Sequence, residues 1–232
     1  MRRPNLALVN PLLLVACASH PPAAAGDAER HHGHSGHGMP HRFEHAEDWA
    51  KRFDDPSRDA WQKPAEVVAL LGLQPGMSVA DLGAGTGYFL RHLSGAIGAG
   101  GRVFALDVEA DMIRYMKARA EREQLANVEA RQVPFDDPAL APGSVDRILI
   151  VDTWHHLGDR AAYSKKLAAA LKPGGGVFVV DFTMETEKGP PTQHRLTPEQ
   201  VIAELEAGGL VAKVVEESLP DQYVVAGTRP AL

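Results

Sequence analysis

From residue 77 onward, short apolar runs alternate with longer stretches in which apolar residues recur every three or four positions. The runs at 77–81, 102–107, 128–133, 145–151 and 176–182 predict strands. The helical pattern covers 65–71, 88–97, 109–124, 161–171 and 198–207. In the third of these helices Met112, Tyr115, Met116 and Ala120 share one side. Thr197 is a ready N-cap for the last, and Gly208-Gly209 stops it. Two final strand-like runs, 211–215 and 222–226, are joined only by a turn at Pro220-Asp221. With no helix between them they must pair antiparallel. Strands that alternate with helices build a parallel sheet covered on both faces. The expected fold is therefore α/β: a seven-stranded sheet, mostly parallel, with a C-terminal antiparallel β-hairpin.

Upstream the pattern changes. Residues 43–63 read as amphipathic helix, with Phe43, Trp49, Phe53 and Trp61 among charges and a break at Asp54-Asp55-Pro56. Before them, 20–41 is low in complexity and rich in Pro, Gly, Ala and His, too poor in apolar surface to offset ordering entropy. Its cluster His31, His32, His34 and His37 offers imidazoles to Zn, Cu or Ni ions, or is a plain hydrophilic spacer. The single cysteine, Cys17, follows Arg2, Arg3 and an apolar run at 6–16. This resembles a bacterial lipoprotein signal, and the run is far below the roughly 20 residues needed to span a bilayer. The division expected is a signal segment at 1–17, a tether at 18–41, a helical cap at 42–64 and the main domain at 65–232. If Cys17 is lipidated the protein is anchored to a membrane of the cell envelope; if not, it is cytoplasmic.

One cysteine excludes an intrachain disulfide, and its position excludes a thiol nucleophile or Cys-based metal site in the folded body. A formal charge of −6 gives no broad attraction to nucleic acid. A small molecule is the expected partner; oligomeric state is not legible.

Chemistry concentrates at Asp81-Leu82-Gly83-Ala84-Gly85-Thr86-Gly87-Tyr88, between a strand and a helix. Glycines there let the main chain approach a ligand without an intervening Cβ. A dinucleotide site wants Gly-x-Gly-x-x-Gly, but the sixth position is Tyr88, and the Asp81 carboxylate would repel a pyrophosphate. A carboxylate suits a cationic ligand. Asp107, ending the next strand, is placed to accept both hydroxyls of a ribose.

Together with Leu171-Lys172-Pro173-Gly174-Gly175 before the fifth strand, these motifs resemble class I S-adenosylmethionine-dependent methyltransferases, over residues 65–228. Within that superfamily the chain is similar to the small-molecule branch that includes quinone-biosynthesis methyltransferases. The resemblance implies a Rossmann-like sheet with S-adenosylmethionine as cofactor. It places Gly83, Gly85 and Gly87 against the cofactor, Asp81 near its methionine end, Asp107 on the ribose and Val108 beside the adenine. After the third strand the family usually has a small residue, an acid and an apolar residue; here stands Val133-Pro134-Phe135-Asp136-Asp137. Asp136 is the candidate adenine contact, and Asp137-Pro138 reads equally as the start of a turn.

The acceptor belongs beyond the carboxyl ends of the strands, near Asp152-Thr153-Trp154-His155-His156. Asp152 is a candidate contact to cofactor or substrate, and His155 or His156 a candidate base, against packing or capping roles. No Asn/Asp-Pro-Pro-aromatic motif follows the fourth strand, which disfavours methylation of DNA base amines, and the lack of thiols disfavours arsenic. Residues 183–195 complete the expected cap, with Glu185, Glu187, Lys188, His194 and Arg195 as candidate contacts. The leading expectation is a methyltransferase for an unidentified small acceptor. The alternative is a tethered, non-catalytic binding protein of the same fold, with metal held by its His-rich segment.

Overall fold

The computed structural model describes residues 45–231. The signal segment with Cys17, the His-rich tether and the first residues of the cap lie outside the described residues. Two short helices, α1 (Ala46–Phe53) and α2 (Arg58–Gln62), precede α3 (Pro64–Leu70). The strands are β1 (Ser78–Leu82), β2 (Arg102–Asp107), β3 (Val128–Gln132), β4 (Val145–Val151), β5 (Leu171–Phe182), β6 (Val211–Val215) and β7 (Gln222–Thr228). Between them run α4 (Leu90–Ile97), α5 (Ala110–Arg122), α6 (Arg160–Ala170) and α7 (Pro198–Ala207).

The sheet order is β3-β2-β1-β4-β5-β7-β6. The first five strands are parallel, and β7 lies antiparallel between β5 and β6. Strand β4 shows why such a sheet needs helices on both sides. Its Ile148 and Ile150 enter one buried cluster with Leu167 of α6 and Leu205 of α7. Leu149 and Val151 enter the other, with Leu93 of α4 and Met116 of α5. A parallel strand buried on both faces is apolar at successive positions instead of alternating.

Local signals set most boundaries. Thr197 accepts from the Gln200 N–H and Gln200 returns a bond to the Thr197 N–H, a capping box that starts α7. Gly98, at φ 63°, ends α4. Two expected boundaries shift. Helix α4 begins at Leu90, not at residue 88, because the Gly87 N–H closes a turn on the Ala84 carbonyl. Strand β5 begins at Leu171, not 176, because Leu171 already pairs with Val145 and the Lys-Pro-Gly-Gly segment bulges out before pairing resumes at Gly176.

The chain winds from β1 outward through β2 and β3, then crosses to place β4 on the other side of β1. Neighbouring loops therefore diverge at the carboxyl ends of β1 and β4, where such a sheet opens a crevice. Asp81, near the end of β1, and Asp152, just past β4, both line it.

Candidate active site

A cavity of about 730 Å³ fills this crevice. Its floor is the turn after β1, one side is Asp107 and Val108 after β2, and the other is the Asp152–Leu157 segment after β4. Helices α1 and α2 form the roof through Trp49, Phe53, Arg58 and Trp61.

The three loop glycines have different tasks. All take positive φ: 73° at Gly83, 55° at Gly85 and 83° at Gly87. A Cβ on Gly83 would lie 2.3 Å from Thr153 Oγ1, so this glycine lets the loops after β1 and β4 close on each other. A Cβ on Gly87 would meet Leu90 at 2.5 Å, and Gly87 does not line the cavity. It packs against α4, outside the cavity lining, whereas the resemblance implies a cofactor contact. Gly85 lines the cavity, and a Cβ there would come into ordinary contact with the Phe53 ring at 3.6 Å, so the bare backbone keeps this part of the cavity open.

Asp107 holds that backbone. Its Oδ2 accepts the Gly85 N–H at 2.8 Å and its Oδ1 the Glu109 N–H at 3.0 Å. Burial raises its pKa, while the backbone N–H groups of Glu109 and Gly85 pull the other way. Each oxygen keeps a lone pair for a ribose hydroxyl. Val108, Val133 and Phe135 also line the cavity.

Asp136 does not join this group. Its side chain is 76% exposed and outside the cavity, beside Lys166, whose ammonium also reaches Asp137 at 3.1 Å. After Pro134 the chain turns toward α6, which carries Asp136 away, and Phe135 takes the place at the cavity wall.

Asp81 carries the strongest indication of a ligand. It is 3% exposed, lines the cavity, and its Oδ2 has no hydrogen-bond partner. Burial pushes its pKa up to about 7, with Arg58 drawing it down and Asp107 raising it. A buried carboxylate oxygen without a donor is costly. An ammonium group would satisfy its hydrogen bonding and its charge at once. The residues therefore fit an amino-acid nucleoside cation: Asp81 for the amino group, Gly85 for backbone approach and Asp107 for the ribose.

The other half of the cavity is organised by Trp154, fully buried, whose indole N–H donates to Glu204 of α7 at 2.8 Å. This anchors a one-turn 3₁₀ segment, Trp154–His156, and turns His155 and His156 into the cavity. Asp152 stands before that turn at φ 51°, a left-handed conformation uncommon for a residue with a side chain. Its carboxylate accepts from Gln222 and lies 3.7 Å from Arg58. Burial raises its pKa to about 7, with Arg58 again lowering it. His155 Nδ1 lies 2.9 Å from both oxygens of Asp181, at the end of β5.

Of the residues expected from 183–195, Glu187 and Lys188 line the cavity; Glu185, His194 and Arg195 do not. Arg195 instead donates to the carbonyls of Thr183, Thr186, Lys188 and Pro190, and so holds the loop's shape. Trp61 packs on Phe182 with ring centroids 6.0 Å apart. Sequence reasoning missed Arg58, Gln62, Asp181 and Gln222. Gln62, fully buried, donates to Gln222, which donates to Asp152, so helix α2 is wired to the centre of the site.

The roof is fastened by ions as well. Asp54 pairs with Arg119 of α5 at 2.8 Å and accepts from the Thr86 hydroxyl at 2.9 Å. Asp59 accepts from the Tyr88 hydroxyl, and the Arg58 guanidinium stacks 4.1 Å from the Tyr88 ring centroid.

A family model described as a methyltransferase domain matches residues 79–175. A solved S-adenosylmethionine-dependent methyltransferase from Aquifex aeolicus is 30% identical, with a TM-score of 0.74, over 78% of this chain and 97% of that one. The chain belongs to the S-adenosylmethionine-dependent methyltransferases. A demethylmenaquinone methyltransferase of Bacillus cereus is 30% identical over 135 residues, 56% of this chain. The alignment covers 54% of that enzyme, so the chain spans about half the length of the curated relatives it matches. A putative methyltransferase solved with the Haloferax volcanii Trm112 activator shares the fold at 20% identity and a TM-score of 0.66. The matched window holds the glycine loop, Asp107 and the turn after β4. The roof and residues 183–195 lie outside it. Among the described residues no cluster of His, Cys, Asp or Glu could hold a metal ion, and no helix is long and apolar enough to cross a membrane.

Proposed function

We propose that this protein transfers the methyl group of S-adenosylmethionine to a small, planar, largely apolar acceptor. The observation that carries the reading is Asp81: a buried, donorless carboxylate oxygen in a cavity that the Gly85 backbone also lines. Asp81 would hold the amino group, Asp107 the ribose, and Val108 with Phe135 the adenine. When bound, the cofactor supplies an electrophilic methyl on a sulfonium.

The chain's own contribution is alignment and exclusion of water. Trp61, Phe182 and Leu157 offer the acceptor an apolar wall, and the Lys188 ammonium lies over the Trp61 ring, 5.7 Å from its centroid. A quinone-like ring suits such a wall, and the likeness to demethylmenaquinone methyltransferases points the same way. Calorimetric titration of the full chain with S-adenosylmethionine tests the cofactor. One-to-one binding is expected, and no heat at saturating protein would refute it. Transfer of labelled methyl to a panel of quinols, phenols and amines tests the acceptor. Binding without turnover on any of them would favour the non-catalytic alternative.

A further inference from the structure

The pair formed by His155 and Asp181 is more than packing. The two carboxylate oxygens of Asp181 share one ring nitrogen, Nδ1, each at 2.9 Å. Asp181 is 1% exposed and does not line the cavity, whereas His155 does. The other bond to Asp181 is the Phe182 N–H, and among the described residues its one ion pair is with His155. A carboxylate buried this deeply needs the Nδ1 proton. The neutral ring then keeps its acceptor lone pair on Nε2, the edge not turned toward Asp181.

We propose that His155 and Asp181 form a proton-accepting dyad, in which His155 Nε2 takes the proton of a hydroxyl-bearing acceptor. His155 is the catalytic residue. Asp181 is a positioning residue that fixes the tautomer and steadies the imidazolium once it forms. The proposal rests on the methyl-transfer reading and narrows its acceptor to a phenol, quinol or enol.

The step balances simply. The acceptor O–H proton passes to Nε2 and its electron pair forms the new oxygen–carbon bond. The carbon–sulfur bond breaks with its pair on sulfur, and the imidazolium returns its proton to solvent. An acceptor that carries no proton on its nucleophilic atom would not need the dyad.

The surroundings agree. Burial opposes protonation of His155, but the Asp181 hydrogen bond and charge outweigh it, with Asp152 after β4 adding to them and Arg160 of α6 opposing. The net pKa lies above the ordinary imidazole value. The His156 ring packs against His155, with centroids 4.2 Å apart, and restricts its rotation.

The test begins without any acceptor. Long-range ¹⁵N–¹H spectra of the full chain should show neutral His155 with its proton on Nδ1; a proton on Nε2 would overturn the proposal. In Asp181→Asn, whose amide can donate to Nδ1, the proton should move to Nε2 and the ring should titrate at lower pH. An unchanged tautomer and titration would remove Asp181 from its role. Calorimetry with S-adenosylmethionine separates the two readings. Failure of the wild type to bind would sink methyl transfer while leaving the tautomer result standing. Affinity in Asp181→Asn within about two-fold of wild type shows that the cofactor half is intact.

With p-cresol as probe, His155→Gln and Asp181→Asn should lower kcat about 10²-fold or more at neutral pH, with little change in KM. With 4-nitrophenol, which ionises without help, the loss should be several-fold smaller. Equal losses on both probes, or transfer to amine or thiol probes but to neither phenol, would overturn the assignment.

Discussion

The affinity for S-adenosylmethionine should depend on pH through Asp81. Its pKa is raised to about 7, first by burial. A cationic amine binds the ionised form, so the apparent dissociation constant scales as one plus the ratio of protonated to ionised Asp81. Two pH units below 7, that factor is about 100, or about 2.7 kcal/mol of lost binding. Affinity should thus be flat above pH 8 and fall by a factor approaching ten per unit below 7. Asp81→Asn removes the proton linkage and the charge together. It should bind about 1.5–3 kcal/mol more weakly at pH 8, yet match the wild type near pH 5, where the native carboxyl is already neutral.

Stability without cofactor should run the other way. A carboxyl whose folded pKa exceeds the unfolded value of 3.8 favours the folded state below that value, and the advantage is lost as pH rises through about 7. Asp152, raised to the same value, shares the window. The melting temperature of the free wild type, relative to that of Asp81→Asn, should therefore fall from acid toward neutral pH while the rise produced by the cofactor grows. Titrations at pH 5.5 and 8 in one salt concentration decide the matter. Equal wild-type affinities, or an Asp81→Asn variant that keeps the wild-type slope, would refute the reasoning.

Three further outcomes are expected. Gly87→Ala combines φ 83° with a Cβ 2.5 Å from Leu90, so it should lower unfolding free energy by about 1–3 kcal/mol in denaturant melts. Asp107→Ala removes the candidate ribose acceptor and frees the Gly85 N–H, so calorimetry should show cofactor affinity weakened by about 1.5–3 kcal/mol or more; unchanged affinity would take Asp107 out of the site. Asp54→Ala unfastens α1 from Arg119 and Thr86, and hydrogen exchange should speed up within residues 46–62 while the amides of β4 stay protected.

How far the sequence could be read depended on whether a feature is local. The N-cap at Thr197 and the strands Arg102–Asp107 and Val145–Val151 are visible to the residue, because charges, caps and glycines flank them directly. The glycine loop with Asp81 and Asp107 is also a local spacing, and the structure brings those groups into one cavity. Asp181 is not local. It matters because the parallel pairing of β4 with β5 sets the end of one strand beside the turn that follows the other. One signal was available: a carboxylate inside an otherwise apolar strand buried on both faces requires a partner. Gln222 gives the same signal at the start of β7. Asp136 was misread because spacing alone cannot show that a lysine on α6, 30 residues on, borders the turn and carries the acid outward.

The division of labour across the cavity explains why the donor is easier to read than the acceptor. Every residue assigned to the cofactor lies within the window matched by the methyltransferase model, on loops that the central strands β1 to β3 hold in register. The acceptor side adds residues from outside that window to Asp152, His155 and Leu157 within it: Arg58 and Trp61 before it, Phe182 and Lys188 after it. Several contacts join these segments: Gln62 reaches Gln222, which reaches Asp152, while Arg58 approaches Asp152 and Trp61 packs on Phe182. A relative can share the whole donor machinery and still differ at each of these contacts. Identity within the matched window therefore informs the methyl source far more than the molecule that receives the methyl. The acceptor has to be argued from the roof and from the dyad behind it.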